Sequence, residues 1–516
     1  MANAPELSSR IDGAPVDGGE LVELRSPADL DDLVATVRLG DADTFVRAAA
    51  AAAAAQAAWA ATPAPVRGVA IGDLGRIIAQ NKQALATLVT REIGKPYPEA
   101  LGEVQEVIDT CVFFASEGRR LYGQTVPSEM PDKQLFTFRE PVGTMAVITA
   151  GNFPIAVPSW YLVPALLAGN TVVWKPAEYA PAIADAFVRC IEAAGIPSGV
   201  VQLALTDGHQ TGIGLERALE AGHLHKVGFT GSSPVGRDIA ALCGRHLVTP
   251  TLELGGKNPL VVMPDADLDL AVEGSLFSGF GTAGQRCTSL GVAIVHESIH
   301  DDYLARFTAA LEQSAVGDPF EPVLFGPMIS QKFADGFDRW LGEIQPHHRT
   351  SGSQGLGRIS ADNPREGFVG DPGKGLYWHP VIVDGVTPDD TLYQNETFGP
   401  IVPVATFADF DEAVELANGH GYGLSSAIYT NDPTSAFRFR ERVSAGMVSV
   451  NNSTSGAEAH LPFGGNGKSG NGARQSGIWV LDQVTRWQSM NWDFSGKLQK
   501  AQMDVAEIEA DFDFRV

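Results

Sequence analysis

From residue 144 onward, short apolar runs alternate with longer stretches of helical pattern, and this alternation restricts the chain to helices packed over a parallel sheet. The runs are "TMAVITA", "TVVW", "VVQLAL", "HKVGFT" and "PLVVM", beginning at residues 144, 171, 200, 225 and 259. Between them lie "SWYLVPALLAG", "PAIADAFVRCIEAAG", "IGLERALEAG" and "SPVGRDIAALCG", each ending in the Gly that closes a helix. The class is α/β, with a doubly wound, Rossmann-like first domain. A second alternating series follows Cys287, with "GVAIV", the helical "DDYLARFTAALEQ", "PVIVDGV" and "IVPVATF", and predicts a second α/β domain. Residues 345–376, rich in Gly, Ser, Pro and Asp, read as a long surface insertion.

Composition narrows what such a chain binds. At 516 residues, two or three domains are expected. A net charge of −25 without a Lys/Arg cluster repels phosphate backbones, which excludes nucleic acid and leaves a small molecule as the partner. Cys111, Cys190, Cys243 and Cys287 show no paired spacing, as expected in a reducing cytoplasm. The start "MANAPELSSR" has no basic, apolar leader pattern, so no secretory signal is expected. The Ala run over 48–61 is too short and too weakly apolar to span a membrane, and predicts a helix.

Three motifs invite other chemistry. "HESIH" at 296–300 matches the zinc pattern H-E-x-x-H, which requires both histidines on one helical face. Here it follows a strand, and Ser298 with Asp301 resembles a helix start inside the motif, so His296 and His300 are expected as surface residues of a strand-to-helix turn. "GGNGKSGNG" at 464–472 lacks the first Gly of a phosphate loop, which leaves a flexible Gly/Asn loop. The pair His347 and His348 reads as a solvated turn. No metal site is expected.

Cys287 lies between "GFGTAGQ" and "TSLG", where small neighbours let substrate and backbone approach; it is either a nucleophile or a structural thiol. Glu253 leaves a strand just before Gly255 and Gly256, as a general base in a cleft would, or as an ordinary strand-end carboxylate. Asn152 in "TAGNFPIAVPSW" offers an amide at the mouth of the sheet. Lys175 and Glu178 in "VVWKPAE" fall where a dinucleotide ribose sits in a doubly wound fold. Gly231 and Ser232 in "GFTGSSPVG" open a helix whose free N–H groups suit a pyrophosphate.

In order, "GNFP", "KPAE", "GFTGSSPVG", "LELGGKNP", "GQRCT", "ETFGPIV" and "LPFGG" resemble the aldehyde dehydrogenase superfamily over roughly residues 35 to 495. The resemblance implies NAD-dependent oxidation of a small-molecule aldehyde to its acid. Cys287 attacks the carbonyl, and the Asn152 amide with the Cys287 N–H stabilises the oxyanion. Hydride leaves for the nicotinamide, and water activated by Glu253 cleaves the thioester. It assigns Glu396 to the nicotinamide ribose, Phe398 to the wall beside the ring, Lys175 and Glu178 to the adenosine ribose, and Ser232 to the pyrophosphate. Glu178 would repel a 2′-phosphate, so NAD is expected over NADP. Val157, Trp160 and Tyr161 would line the aldehyde tunnel. Arg286 and "NNSTSGAEAH" at 451–460 echo the semialdehyde-oxidising, aminoadipate-semialdehyde-like branch; Arg286 either binds a substrate carboxylate or is structural.

The alternating segments "KQLFTFREPVG" and "IWVLDQVTRWQSMNW" correspond to the family's oligomerisation arm, implying a homodimer or homotetramer, or else form a self-contained hairpin. The expected division is 1–122 with 144–253 for NAD binding, 254–460 for catalysis, 123–143 with 476–495 for the arm, and an acidic tail over 496–516. A coenzyme A-acylating enzyme, a non-catalytic NAD-binding homologue and a zinc hydrolase are the alternatives; the presence of Glu253 favours hydrolysis.

Overall fold

The computed structural model describes residues 4–516. Its first large sheet has seven strands. In spatial order they are Pro250–Glu253, Lys226–Thr230, Thr144–Ile148, Thr171–Lys175, Val201–Leu203, Arg10–Ile11 and Ala14–Pro15. The first five are parallel, and the last two add antiparallel pairing at one edge. Residues of Thr144–Ile148 and Thr171–Lys175 are all buried, as β-branched strands covered by helices on both faces must be. Three strands at the start of the chain, Glu6–Ser8, Glu20–Arg25 and Leu33–Leu39, form a small sheet of their own.

The alanine run does form a helix, Ala42–Ala61, begun by the Asp41 carboxylate, which accepts from Thr44 N–H at 2.9 Å. Its buried face of Ala48, Ala49 and Ala52 has no bulk, so it lies close on the sheet: Thr171 Oγ1 donates to the Ala52 carbonyl at 2.8 Å.

The second seven-stranded sheet runs Arg349–Ser351, Val381–Asp384, Ile401–Phe407, Leu290–His296, Asn258–Val262, Ser425–Tyr429 and Met447–Val450, parallel except for the first. Most of 345–376 does lie at the surface, but it is not a structureless insertion. The segment extends this sheet, pairs Phe368–Val369 with Val316–Gly317, and buries Ile359, Arg365 and Leu376.

Nine-residue strands Lys133–Pro141 and Thr485–Asp493 pair antiparallel along their whole length, joined by Thr125–Val126. Trp487, Met490 and Trp492 stand exposed on the outer strand. Residues 494–516 carry no helix or strand and expose Leu498, Ile508 and Phe512. No helix is long and apolar enough to cross a membrane among the described residues.

Candidate active site

In the first sheet the chain runs outward from Thr144–Ile148 in both directions, with Thr171–Lys175 on one side and Lys226–Thr230 on the other. Strand order therefore reverses at Thr144–Ile148, and the crevice beyond the carboxyl ends at such a reversal is where α/β sheets bind ligands. Asn152 follows the first of these strands, Lys175 ends the second, Gly231 and Ser232 follow the third, and Glu253 ends its neighbour. Only Leu254–Lys257 separate Glu253 from the first strand of the second sheet, so the carboxyl edge of one sheet meets the amino edge of the other. On that amino edge lie Asn258, Cys287 just before Leu290–His296, and Glu396 and Phe398 just before Ile401–Phe407.

The Cys287 loop is strained and then pinned. Thr282 and Ala283 have φ of 50° and 54°, a left-handed conformation that costs non-glycine residues about 1–2 kcal/mol each. Asn258 Nδ2 donates to the carbonyls of Cys287 (2.8 Å) and Ser289 (2.7 Å), and its Oδ1 accepts from Ser425 N–H at 2.9 Å. From the other side Asn152 Nδ2 donates to the Gln285 carbonyl at 3.0 Å. A Cβ at Gly256 would lie 2.3 Å from the Cys287 carbonyl oxygen, so this crossing needs glycine. Asn258→Ala strands two carbonyls and an N–H, and is expected to cost about 2–4 kcal/mol, read as the shift in chemical denaturation midpoint.

Burial dominates the electrostatics of the site. Cys287 is partly exposed, yet burial pushes its thiol up to about 12, helped by the carboxylates of Glu396 and Glu253. Backbone N–H groups of Thr288 and Cys287 offset the burial only in part. Glu253 is buried, with Oε2 accepting from Gly465 N–H at 3.2 Å and Oε1 without a partner. Burial raises its carboxyl well above the usual range, opposed by that N–H and by Arg474. Glu396 Oε1 accepts from Gly256 N–H at 3.1 Å, and burial pushes its carboxyl up to about 7. Phe398, at φ 46°, lies 5.5 Å from the Phe333 ring.

At the carboxyl edge, Lys175 Nζ lies 3.5 Å from Glu178, whose Oε1 also accepts from Gly208 N–H at 2.8 Å. Ser232 begins the helix Ser233–Arg245 without spending its side chain on a cap. Free N–H groups there, a lysine and a half-exposed carboxylate fit a dinucleotide's pyrophosphate and ribose.

Val157 and Trp160 are buried on the helix Ala156–Ala168, and the Trp160 ring packs 4.6 Å from that of Phe463, tilted by 45°. Beyond Trp160 opens a cavity of about 630 Å³ lined by Gln105, Glu106, Asp109, Phe113, Glu458 and His460. Tyr161, on the same helix, is buried within electrostatic reach of Glu253 and Cys287, its hydroxyl 3.1 Å from the Phe229 carbonyl and 2.9 Å from Thr230 Oγ1. Arg286, expected as a carboxylate ligand or a structural group, is structural: its guanidinium pairs with Glu99 and lies 4.5 Å over Phe277. Asn258, Glu99 and Glu106 were not singled out from sequence; the only signal was the i, i+4 and i, i+3 spacing of carboxylates in "PEALGEVQE".

The competing motifs resolve separately. His296 ends its strand with Nδ1 accepting from Ser298 N–H at 3.2 Å. His300, buried rather than exposed, places Nε2 2.8 Å from Asp384 at the start of the helix His300–Gln313. The two rings serve different partners. His348 is likewise buried, correcting the solvated turn, and its Nδ1 accepts from Gln345 N–H, which leaves the proton on the Nε2 that faces Asp390 at 3.3 Å. The Gly/Asn loop is structured: Gly465 N–H holds Glu253, and the Ser469 carbonyl accepts from Leu254 N–H at 2.9 Å.

Residues 15–490 match the model of the aldehyde dehydrogenase family. The chain is 38% identical to alpha-ketoglutarate semialdehyde dehydrogenase of Haloferax volcanii, over 87% of this chain and 90% of that protein. It is 34% identical to alpha-aminoadipic semialdehyde dehydrogenase of Mus musculus, over 94% and 88% respectively. Betaine aldehyde dehydrogenase of Staphylococcus aureus, solved with NAD+, superposes with a TM-score of 0.89 at 26% identity, covering 95% of each chain. A thiol, an amide and a buried carboxylate gathered where two sheet edges meet are therefore no isolated likeness, and the chain belongs to the aldehyde dehydrogenase family.

Proposed function

We propose that this aldehyde dehydrogenase oxidises a semialdehyde, an aldehyde whose far end carries a carboxylate, to the free acid with NAD. The observation that carries the reading is the meeting of Asn152, Cys287 and Glu253 where the two sheet edges join, within a chain whose relatives act on semialdehydes.

Cys287 is the nucleophile; because the resting thiol is neutral, its proton passes through water to the Glu253 carboxylate as the sulfur bonds to the carbonyl carbon, and Glu253 releases it before the hydrolytic step. Asn152 has a second amide hydrogen beyond the one given to Gln285, and with the Cys287 N–H it meets the oxyanion; one such donor is worth about 3–4 kcal/mol. Lys175, Glu178, Gly231 and Ser232 hold the adenosine half of the dinucleotide, while Glu396 and Phe398 hold the nicotinamide half. When bound, NAD supplies the two-electron acceptor. Glu253 then deprotonates the water that frees the acyl group from Cys287, which supports release as a free acid over transfer to coenzyme A. Val157 and Trp160 wall the approach. With Arg286 engaged by Glu99, its guanidinium is not free for the distal carboxylate; the Ser453–Ser455 loop, whose Thr454 Oγ1 and Ser455 Oγ donate to the Thr288 carbonyl, stands beside Cys287.

The arm pairs a second copy: its outer strand has a free edge and exposes Trp487, Met490 and Trp492, which supports a homodimer or homotetramer. Unpaired cysteines support a cytoplasmic setting.

A panel of semialdehydes and simple aldehydes, followed by NADH absorbance with NAD or NADP, tests the reading. Semialdehydes are expected to give kcat/KM at least about tenfold higher, and NAD to outperform NADP. Equal turnover of uncharged aldehydes of the same length would overturn the substrate assignment.

A further inference from the structure

Behind the two reacting loops stands the helix Tyr97–Glu117, and two of its carboxylates reach one loop each. Glu99, in the first turn, accepts from Thr282 N–H at 3.2 Å and pairs with Arg286, so it grips the left-handed Thr282–Ala283 turn and the residue before Cys287. Glu103 lies one helical turn on. Its Oε1 accepts from the N–H groups of Ile155 (3.0 Å) and Ala156 (3.2 Å), where the helix after Asn152 begins. Its Oε2 pairs with buried Lys95, whose ammonium lies 3.6 Å over the ring of Phe153, the neighbour of Asn152. The spacing of four puts both carboxylates on one helix face. The groups form one cluster, since Lys95 senses Glu103, Glu99 and Arg286 together.

We propose that Glu99 and Glu103 are positioning residues, which use one rigid helix to set the spacing between the Asn152 amide and the Cys287 thiol. The proposal rests on the assignment of Cys287 and Asn152 above. Neither carboxylate touches the reacting atoms; each acts through the loop it holds.

Glu99→Gln and Glu103→Gln keep size and remove the charge that binds Arg286 and Lys95. Glu92→Gln is the matched control, because Glu92 is also buried and also holds a helix start, through Ala182 N–H (2.6 Å) and Ile183 N–H (2.9 Å), away from the Cys287 loop. Glu99→Gln and Glu103→Gln are expected to lower kcat by about 10²-fold with the KM for NAD little changed. Their Cys287, alkylated by iodoacetamide in the resting protein and followed by mass spectrometry, is expected to react at lower pH than wild type, because a loosened loop admits water to the thiol. Glu92→Gln should match wild type in both. Should a Gln variant fail to fold, Arg286→Lys and Lys95→Arg keep the charges, change the reach and carry the same expectation. Wild-type kcat and alkylation profiles in the Glu99 and Glu103 variants, or changes that Glu92→Gln reproduces at equal loss of melting temperature, overturn the proposal. Alkylation needs neither aldehyde nor NAD, so a wild type without aldehyde turnover would refute the functional reading while the alkylation profiles still decide the positioning role.

Discussion

Cys287→Ala is expected to lower kcat for aldehyde oxidation by roughly 10⁴-fold or more while NAD affinity, measured by calorimetry, stays near wild type. The loop should survive the change, because what fixes it is backbone: Asn258 holds the Cys287 and Ser289 carbonyls, and Asn152 holds that of Gln285. Removing the sulfur therefore deletes the nucleophile without moving the amide meant for the oxyanion. The other thiols make the contrast sharp. Burial pushes Cys111 up to about 12 and Cys243 up to about 11, and neither sits among the carboxylates that surround Cys287. Alanine at Cys111 or Cys243 is expected to leave kcat unchanged. Equal rates for wild type and Cys287→Ala would show that another group attacks the carbonyl.

The parallel sheets were legible because their strands are buried on both faces and so read as continuous apolar runs, and because helices such as Ala156–Ala168 close on glycine, although Ser233–Arg245 runs through Gly244 to a His246 cap. Residues that sit at strand ends were legible for the same reason: Lys175, Glu253 and Gly231 are located once the strands are. What local pattern does not carry is the partner. Arg286 finds Glu99 from 187 positions away, and nothing beside either residue announces the pairing that takes the arginine out of the substrate pocket. His300 was expected on the surface of a strand-to-helix turn, yet it continues the buried stripe of Tyr303, Phe307 and Leu311 and meets Asp384, 84 positions on. The Gly/Asn loop near 465 looked flexible from composition, but its N–H groups complete Glu253 across 212 positions. In 345–376 the strands are two or three residues long, too short to show any period, so the segment's role in extending the second sheet was invisible.

Glu253→Gln is expected to separate the two halves of the reaction. The amide keeps the size of the side chain and can still accept from Gly465 N–H, but it cannot take a proton from water. Hydrolysis of the acyl group on Cys287 should fall by about 10²–10⁴-fold. Acyl-enzyme then accumulates, visible as a mass increment on Cys287 after rapid quenching and as a burst of NADH limited to one per site. The wild-type pH profile follows from the same carboxyl. Burial raises it above 4.5, so the ionised fraction, and hydrolysis with it, should climb as pH rises through that elevated value. Linkage gives the matching sign for stability: with the folded-state value raised above the unfolded one, the neutral buried acid favours the fold below about 4.5, and that contribution is lost as pH rises through the folded-state value. Glu253→Gln should therefore lose less melting temperature than wild type as pH rises from about 4.5 through the raised folded-state value, and show a flat hydrolysis rate over the range where wild type rises. A variant with the wild-type burst-free progress curve and the wild-type pH profile would place the base elsewhere, with Glu396, the other carboxyl that senses the Cys287 sulfur, as the next group to substitute.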